Sequence, residues 1–208
     1  EAARSWLPDV PHVAVFDTTF HRTMPLYARE YALPRSLARE NGIRRYGFHG
    51  TSHSYVARRA AAMLGRPLEE ISLITLHLGN GASVSAIQGG RSVDTSMGMT
   101  PLEGLIMGTR CGDVDPAVPM LLSEITGRSR EDVHRLLNFE SGLKGLTGES
   151  DMREVHRRAK SGDLDAPLAV EMFRYSPQKY PRAYHPRPGP GARSPCPTRL
   201  RGPDPRAP

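Results

Sequence analysis

Four groups suited to handling an anion stand out in this 208-residue chain: Asp17 in VFDTTFH, His49 and His53 in GFHGTSH, the turn Gly79-Asn80-Gly81, and Arg110 in GTRCGDVDP. A carboxylate at a strand tip can hold Mg²⁺ or a water on it. It can equally cap the turn that follows. An imidazole beside glycine, at a loop entering a helix, can donate a hydrogen bond to a phosphoryl oxygen. It can also be an ordinary loop histidine. Glycines let a backbone approach a ligand closely and aim its N–H groups at an anion, although Gly-Asn-Gly by itself reads as a tight turn. Arg110 is the only cation in the Gly-rich segment 95–115. Its guanidinium fork suits a carboxylate or a planar phosphoryl group, or a surface bridge to Asp113 or Asp115.

These groups can act together only if the surrounding elements bring them together. Segment 71–78 sets Ile71, Leu73, Thr75 and His77 on one face and Ser72, Ile74, Leu76 and Leu78 on the other. Apolar on nearly both faces, it predicts a strand buried within a sheet. Residues 82–88 resume after the Gly-Asn-Gly turn, Gly89-Gly90 is a two-residue hairpin signal, and 91–95 complete a β-meander. Upstream, 12–18 predict a short strand ending at Asp17, and 25–31 and 34–41 predict short helices, the second closed by Gly42. Ser52 is the expected cap of a helix over 53–64, with Val56, Ala60 and Met63/Leu64 turned to the core and Gly65 at its end.

Downstream, Pro116 opens a helix to Thr126. Ser129 caps one over 130–137, with Val133, Leu136 and Leu137 inward. A Gly-rich loop is expected over 141–150. Asp151 starts a helix through Arg158, and another covers 164–173. Ten of the nineteen prolines lie from Pro177 onward, so no regular core element is expected there. That Pro/Arg/Gly-rich run reads as a linker, a partner-binding tail or a GC-rich gene translated out of frame; the last is the preferred expectation.

Hydrophobic residues make up 38%, enough for a core. The net charge of +6 comes entirely from residues 177–208, which leaves a neutral body and no electrostatic case for nucleic acid. Cys111 and Cys196 form no metal-spaced cluster, and no disulfide scaffold is indicated, which suits a reducing, cytoplasmic setting. No apolar run would span a bilayer. The first residues, EAARSWLPDV, lack both the apolar stretch of a signal peptide and a starting Met, so the chain is expected to begin in mid-protein.

HLGNGAS, DTSMGMTPLEGLIMGTRCGDVDP, VFDTTFH and RRYGFHGTSH resemble, in order and spacing, the signature blocks of the acetate kinases. The resemblance runs over roughly residues 13–173, with weaker echoes to Tyr184. It implies an α/β fold of the actin-like (ribonuclease H-like) class, present in part as a β-meander sheet with flanking helices. Residues 1–70 would be the remainder of an N-terminal actin-like domain, 71–176 the start of a C-terminal nucleotide-binding domain, and 177–208 a tail.

The implied reaction is reversible transfer of the ATP γ-phosphoryl to acetate, giving acetyl phosphate and ADP. Mg²⁺ (or Mn²⁺) is the implied cofactor, and a homodimer paired through the C-terminal domain the implied assembly. The resemblance gives catalytic roles to Asp17, His49 and Arg110; no metal ligand is assigned, and a water-mediated contact from Asp17 is the one open option. It gives ATP contacts to His77, Leu78, Gly79, Asn80 and Gly81 and to the block Asp151, Met152 and Arg153. Phe48 would line the pocket for the acetate methyl, and His53 would support the loop. The family's N-terminal strands, with an asparagine and an acetate-binding arginine, have no counterpart here, nor does its C-terminal section with a metal-associated glutamate. Impaired activity is therefore expected of this chain. Two other readings stay open: a noncatalytic nucleotide-binding or interaction fragment, and a relative acting on propionate or butyrate.

Overall fold

The structure is a computed structural model that describes residues 2–184. It forms helices α1 (Ala2–Trp6), α2 (Leu26–Arg29), α3 (Arg35–Glu40) and α4 (Gly50–Leu64), then strands β1 (Ser72–Leu78), β2 (Ala82–Gln88) and β3 (Arg91–Thr95). Helices α5 (Ala117–Thr126), α6 (Arg130–Phe139), α7 (Gly142–Thr147), α8 (Met152–Lys160) and α9 (Ala166–Ala183) follow.

The expected meander is present. The strands are antiparallel in the order β1-β2-β3, with Leu78 opposite Ala82 and Gln88 opposite Arg91. Gly89 and Gly90 both take positive φ (54° and 75°), as a two-residue hairpin that matches the strand twist requires. The expected place of β1 is corrected. Among the described residues it is an edge strand, with Leu76 43% and Leu78 54% exposed. The strand paired on both sides is β2, and Ala82 to Ile87 are all buried.

The two faces of the meander differ in chemistry. Thr75, His77, Ser83, Ser85 and Thr95 alternate onto one face through the register Thr75–Ser85, His77–Ser83 and Ser85–Thr95. Helix α4 covers it. The helix buries Gly50, His53, Ala57 and Ala61 rather than the expected stripe, and leaves Val56, Met63 and Leu64 exposed. Small residues let the helix axis come close to the sheet, so the only long side chain on that line is an imidazole with polar partners. The expected cap also moves: α4 begins at Gly50 behind His49, and Ser52 Oγ instead meets His77 Nδ1 at 3.0 Å.

The opposite face is apolar. Ala82, Val84, Met97, Leu105 and Met107 form a fully buried cluster, with Phe48, Ile74, Tyr180 and Tyr184 packed against it. A second cluster joins Leu143, Val155, Ala166, Ala169 and Val170. Helix α9 serves both and passes the expected stop at Phe173. Pro177 removes one helical N–H, but tertiary bonds hold that part of the helix: the Ile106 N–H donates to Ser176 Oγ (3.1 Å) and Tyr180 Oη donates to Asp113 Oδ2 (3.0 Å). Residues 185–208, most of the expected tail, lie outside the described residues.

Caps at Ser129 and Asp151 are as expected, accepting from Asp132 N (3.1 Å) and Arg153 N (2.9 Å). The loop expected over 141–150 instead contains α7, because Gly142 and the backbone after it dock on the loop before α5: the Leu143 N–H donates to Met107 O (2.9 Å) and the Lys144 N–H to Gly108 O (2.9 Å). The strand expected over 12–18 does not form. Residues 11–16 have no neighbouring strand among the described residues, and Val13, Val15 and Phe16 are exposed. No helix among the described residues is long and apolar enough to cross a membrane.

Leu143 is 2% exposed and Leu164 is 92% exposed. Leu143→Ala is expected to cost about 2–5 kcal/mol, because it removes packed methyl groups and leaves a cavity. Leu164→Ala should stay within about 0.5 kcal/mol. Urea unfolding followed by circular dichroism checks both; equal midpoints for the two variants would contradict this packing.

Candidate active site

The site is held from one end by Asp17. Its carboxylate accepts the His49 N–H at 2.5 Å and its carbonyl accepts the Gly50 N–H at 2.8 Å. A Cβ at Gly50 would lie 2.3 Å from that carbonyl, so only glycine lets the start of α4 rest on the turn that carries Asp17. Between them His49 takes φ 58°, the only positive value for a non-glycine residue among the described residues. Such a conformation costs free energy, and it persists here because bonds on both sides impose it.

A lattice of imidazoles and hydroxyls follows. His49 Nδ1 and His53 Nε2 both lie 2.8 Å from Ser83 Oγ, and His53 Nδ1 lies 2.8 Å from Thr75 Oγ1. The His49 and His77 rings stack at 4.0 Å between centroids. His21 Nε2–H donates to the Phe48 carbonyl (2.9 Å), because a carbonyl can only accept, and Nδ1 therefore takes the Ser92 hydroxyl proton (2.8 Å).

Burial disfavours charge in this lattice. Desolvation, with His77 adding repulsion, lowers the His49 pKa to about 4. Desolvation and the neighbouring histidines lower His53 to about 3, and desolvation also lowers His21. These imidazoles are neutral at pH 7.

Arg110 reaches the same place from the Gly-rich loop. An ideal Cβ on Gly81 would lie 3.1 Å from Arg110 Nη1 and 3.3 Å from His49 Nε2. A guanidinium and an imidazole nitrogen therefore converge on the point where the turn between β1 and β2 has no side chain. Arg110 Nη1 donates to Pro101 O at 3.3 Å, and Arg110 forms no ion pair among the described residues. The bridge to Asp113 or Asp115 is absent; Asp113 instead accepts from the Gly104 N–H (2.8 Å) and from Tyr180. Asp17, His49 and Arg110 thus form one group, though Asp17 sits on a turn rather than at a strand tip.

Residues of the same turn also line a cleft of about 540 Å³. Leu78, Gly79 and Asn80 line one wall and Asp151, Met152 and Arg153 the other, so the two stretches expected to contact nucleotide face each other. Asp151 also caps α8 and pairs with Arg153 Nη2 at 2.6 Å, and that hydrogen bond pulls its carboxyl down to about 2. Phe48 is half-buried against the apolar cluster of the meander. Among the described residues no three His, Cys, Asp or Glu side chains form a metal cage. Asp17 offers a single carboxylate, which fits Mg²⁺ only as a cation that keeps waters and phosphate oxygens as its other ligands.

Sequence reasoning passed over His21, Thr75 and Ser83. Its usable signal was the alternation Ala-Ser-Val-Ser-Ala in a strand bounded by glycines: hydroxyls at every second position of a buried strand need partners.

A family model described as the Acetokinase family matches residues 1–187. The acetate kinase of Syntrophobacter fumaroxidans is 62% identical over 184 residues, covering 88% of this chain and 45% of that protein. That of Clavibacter sepedonicus is 58% identical over 184 residues, covering 88% and 46%. Among solved structures, an acetate kinase of Porphyromonas gingivalis superposes with a TM-score of 0.84 at 47% identity, covering 88% of this chain and 46% of that one. A propionate kinase of Francisella tularensis gives the same score and identity, covering 88% and 47%. The α/β, actin-like fold class is thereby shown, and the chain spans about half the length of the curated relatives it matches.

The lowered histidine values give the fold an acid-side weakness. The unfolded chain takes up protons below the ordinary value of 6.5, while folded His49 and His53 refuse them until about 4 and about 3. Stability is therefore whole above pH 6.5 and falls as pH drops toward 4, with each imidazole contributing up to one proton of uptake on unfolding. Melting temperatures between pH 7.5 and 4.5 should show this decline, and His53→Gln should flatten it. A flat profile for the unaltered chain would contradict neutral, buried imidazoles.

Proposed function

This chain belongs to the acetokinase family, and from that premise we propose that its cleft is the phosphoryl-transfer site of an acetate kinase. The reaction is reversible transfer of the ATP γ-phosphoryl to a carboxylate oxygen of acetate, with ADP leaving. Such transfer needs little covalent help. It needs in-line placement and positive groups around the equatorial oxygens.

The observation that carries the reading is the convergence of Arg110 Nη1 and His49 Nε2 on Gly81, with Asp17 holding the His49 N–H and with Gly79 and Asn80 of the same turn lining the cleft. In this reading the guanidinium and the imidazole N–H stabilise the migrating phosphoryl. His77, Leu78, Gly79, Asn80 and Gly81 hold the phosphates, and Asp151, Met152 and Arg153 contact the nucleotide. Phe48 faces the acetate methyl. Mg²⁺ would be held by Asp17 through a water and by the ATP phosphates, and when bound it neutralises charge on the β- and γ-oxygens.

In the same reading, residues 1–70 are the remainder of an N-terminal actin-like domain and 71–176 the start of the C-terminal one, with α9 continuing it. A homodimer is the proposed assembly. Asp17 is exposed and the Arg153 side chain is 91% exposed. A site this open excludes water poorly, and electrostatic stabilisation weakens with it.

A luciferase-coupled assay of ATP formed from acetyl phosphate, ADP and Mg²⁺ tests the reading on this chain. Turnover should fall more than about a hundredfold below the 1–100 s⁻¹ usual for kinases. Arg110→Lys should lower it by a further ~100-fold or more, because an ammonium cannot replace the fork, while ATP binding by calorimetry is kept. Arg110→Lys turnover equal to that of the unaltered chain would sink the assignment.

A further inference from the structure

The lattice behind His49 has a direction. Thr75 Oγ1, His53 and Ser83 Oγ are 4%, 1% and 0% exposed at the residue level, so each polar atom must find its partner inside the protein. They form a single file: Thr75 Oγ1 to His53 Nδ1, His53 Nε2 to Ser83 Oγ, Ser83 Oγ to His49 Nδ1, each 2.8 Å. Neutral imidazole has one N–H and one acceptor nitrogen, and a hydroxyl has one proton to give. Two neutral imidazoles give four tautomer combinations along the file.

With both imidazoles donating to Ser83, the buried Ser83 proton would have no acceptor among the described residues, and with neither donating, one ring nitrogen would face Ser83 unpaired. If His49 carried its proton on Nδ1 and His53 on Nδ1, Ser83 would donate to His53 Nε2, and His53 Nδ1–H would donate to Thr75. The buried Thr75 proton would then have no acceptor, since His53 Nδ1 is the only side-chain partner of Thr75 Oγ1 among the described residues. Only with both rings protonated on Nε2 is every proton used. Thr75 donates to His53 Nδ1, His53 Nε2–H donates to Ser83, and Ser83 donates to His49 Nδ1. The remaining His49 proton then sits on Nε2, the nitrogen beside Gly81 and Arg110 Nη1.

We propose that Thr75, His53 and Ser83 are positioning residues that hold His49 in the Nε2–H tautomer, so that a hydrogen-bond donor always faces the point beside Gly81 that Arg110 also reaches. The catalytic meaning of this donor rests on the kinase reading above, because a phosphoryl oxygen can only accept. The file itself rests on the three distances and the burial alone. Stacking of His77 on the His49 ring (4.0 Å) keeps the ring from flipping.

Two-bond ¹H–¹⁵N correlation spectra of the ¹⁵N-labelled chain at neutral pH separate the two tautomers, with His49→Gln and His53→Gln giving the assignments. Both rings should show Nε2–H. A His49 ring protonated on Nδ1, or an even mixture, overturns the proposal from the unaltered chain alone. Thr75→Val removes the first hydroxyl at nearly constant shape and should turn both rings into tautomer mixtures, whereas Thr75→Ser keeps the single form. Unchanged tautomers in a folded Thr75→Val chain, folding being judged by its backbone amide spectrum, also overturn it. The kinase reading fails separately: Nε2–H rings in a chain whose ATP formation from acetyl phosphate and ADP is unchanged by Arg110→Lys would leave the file standing and remove the assignment.

Discussion

A sheet face lined with hydroxyls and imidazoles can be buried only if each polar atom is paired there. That constraint organises this chain. Helix α4 could not lie on the meander if Thr75 and Ser83 met apolar side chains, because unpaired buried donors cost about 1–3 kcal/mol each. Setting His53 on the buried line of α4 and His49 at its cap answers Thr75 and Ser83, and His21 from the segment 19–23 answers Ser92. The cost is that these imidazoles must stay neutral, and their lowered pKa values follow from the same burial.

The apolar face carries the complementary burden. Met97, Leu105 and Met107 come from the Gly-rich loop after β3, so the loop that bears Arg110 is anchored by hydrophobic burial rather than by regular structure. Arg45 reinforces it, donating from Nη1 to the carbonyls of Thr95, Ser96 and Met97 (3.2, 3.2 and 3.1 Å) and pairing through Nη2 with Glu103 (2.5 Å). Helix α9 closes the arrangement through Ser176 and Tyr180, and its C-cap Tyr184 joins them. An irregular loop of this length can aim a guanidinium only when its backbone is held at several points.

Polar and apolar faces meet at the turn between β1 and β2, and the candidate site lies at that seam. Gly81 leaves room for Arg110 and His49 to approach the same point, while the Asn80 carbonyl accepts the Gly108 N–H at 3.0 Å and ties the turn to the loop. The seam also explains why one substitution there would be felt on both sides. A side chain at position 81 would press on the imidazole and the guanidinium together.

The sequence by itself determined the meander, its hairpin glycines, the caps at Ser129 and Asp151, and the grouping of Asp17, His49 and Arg110 as candidates. Those signals are local: period-two alternation, a pair of glycines, a hydroxyl or carboxylate before a helix, and short motifs quoted in order. Only the tertiary structure decided that β1 is an edge, that 12–18 is no strand, that α9 outlasts Phe173, and that α4 turns His53, Ala57 and Ala61 inward rather than its larger apolar residues. Each of these depends on which neighbour arrives to pair or to pack, and a neighbour distant in sequence leaves no trace in the local pattern. The partners of the imidazoles were hidden for the same reason: a serine is recognisable as a serine anywhere, but becomes a proton donor to one particular nitrogen only when a strand and a helix are brought within 3 Å of each other.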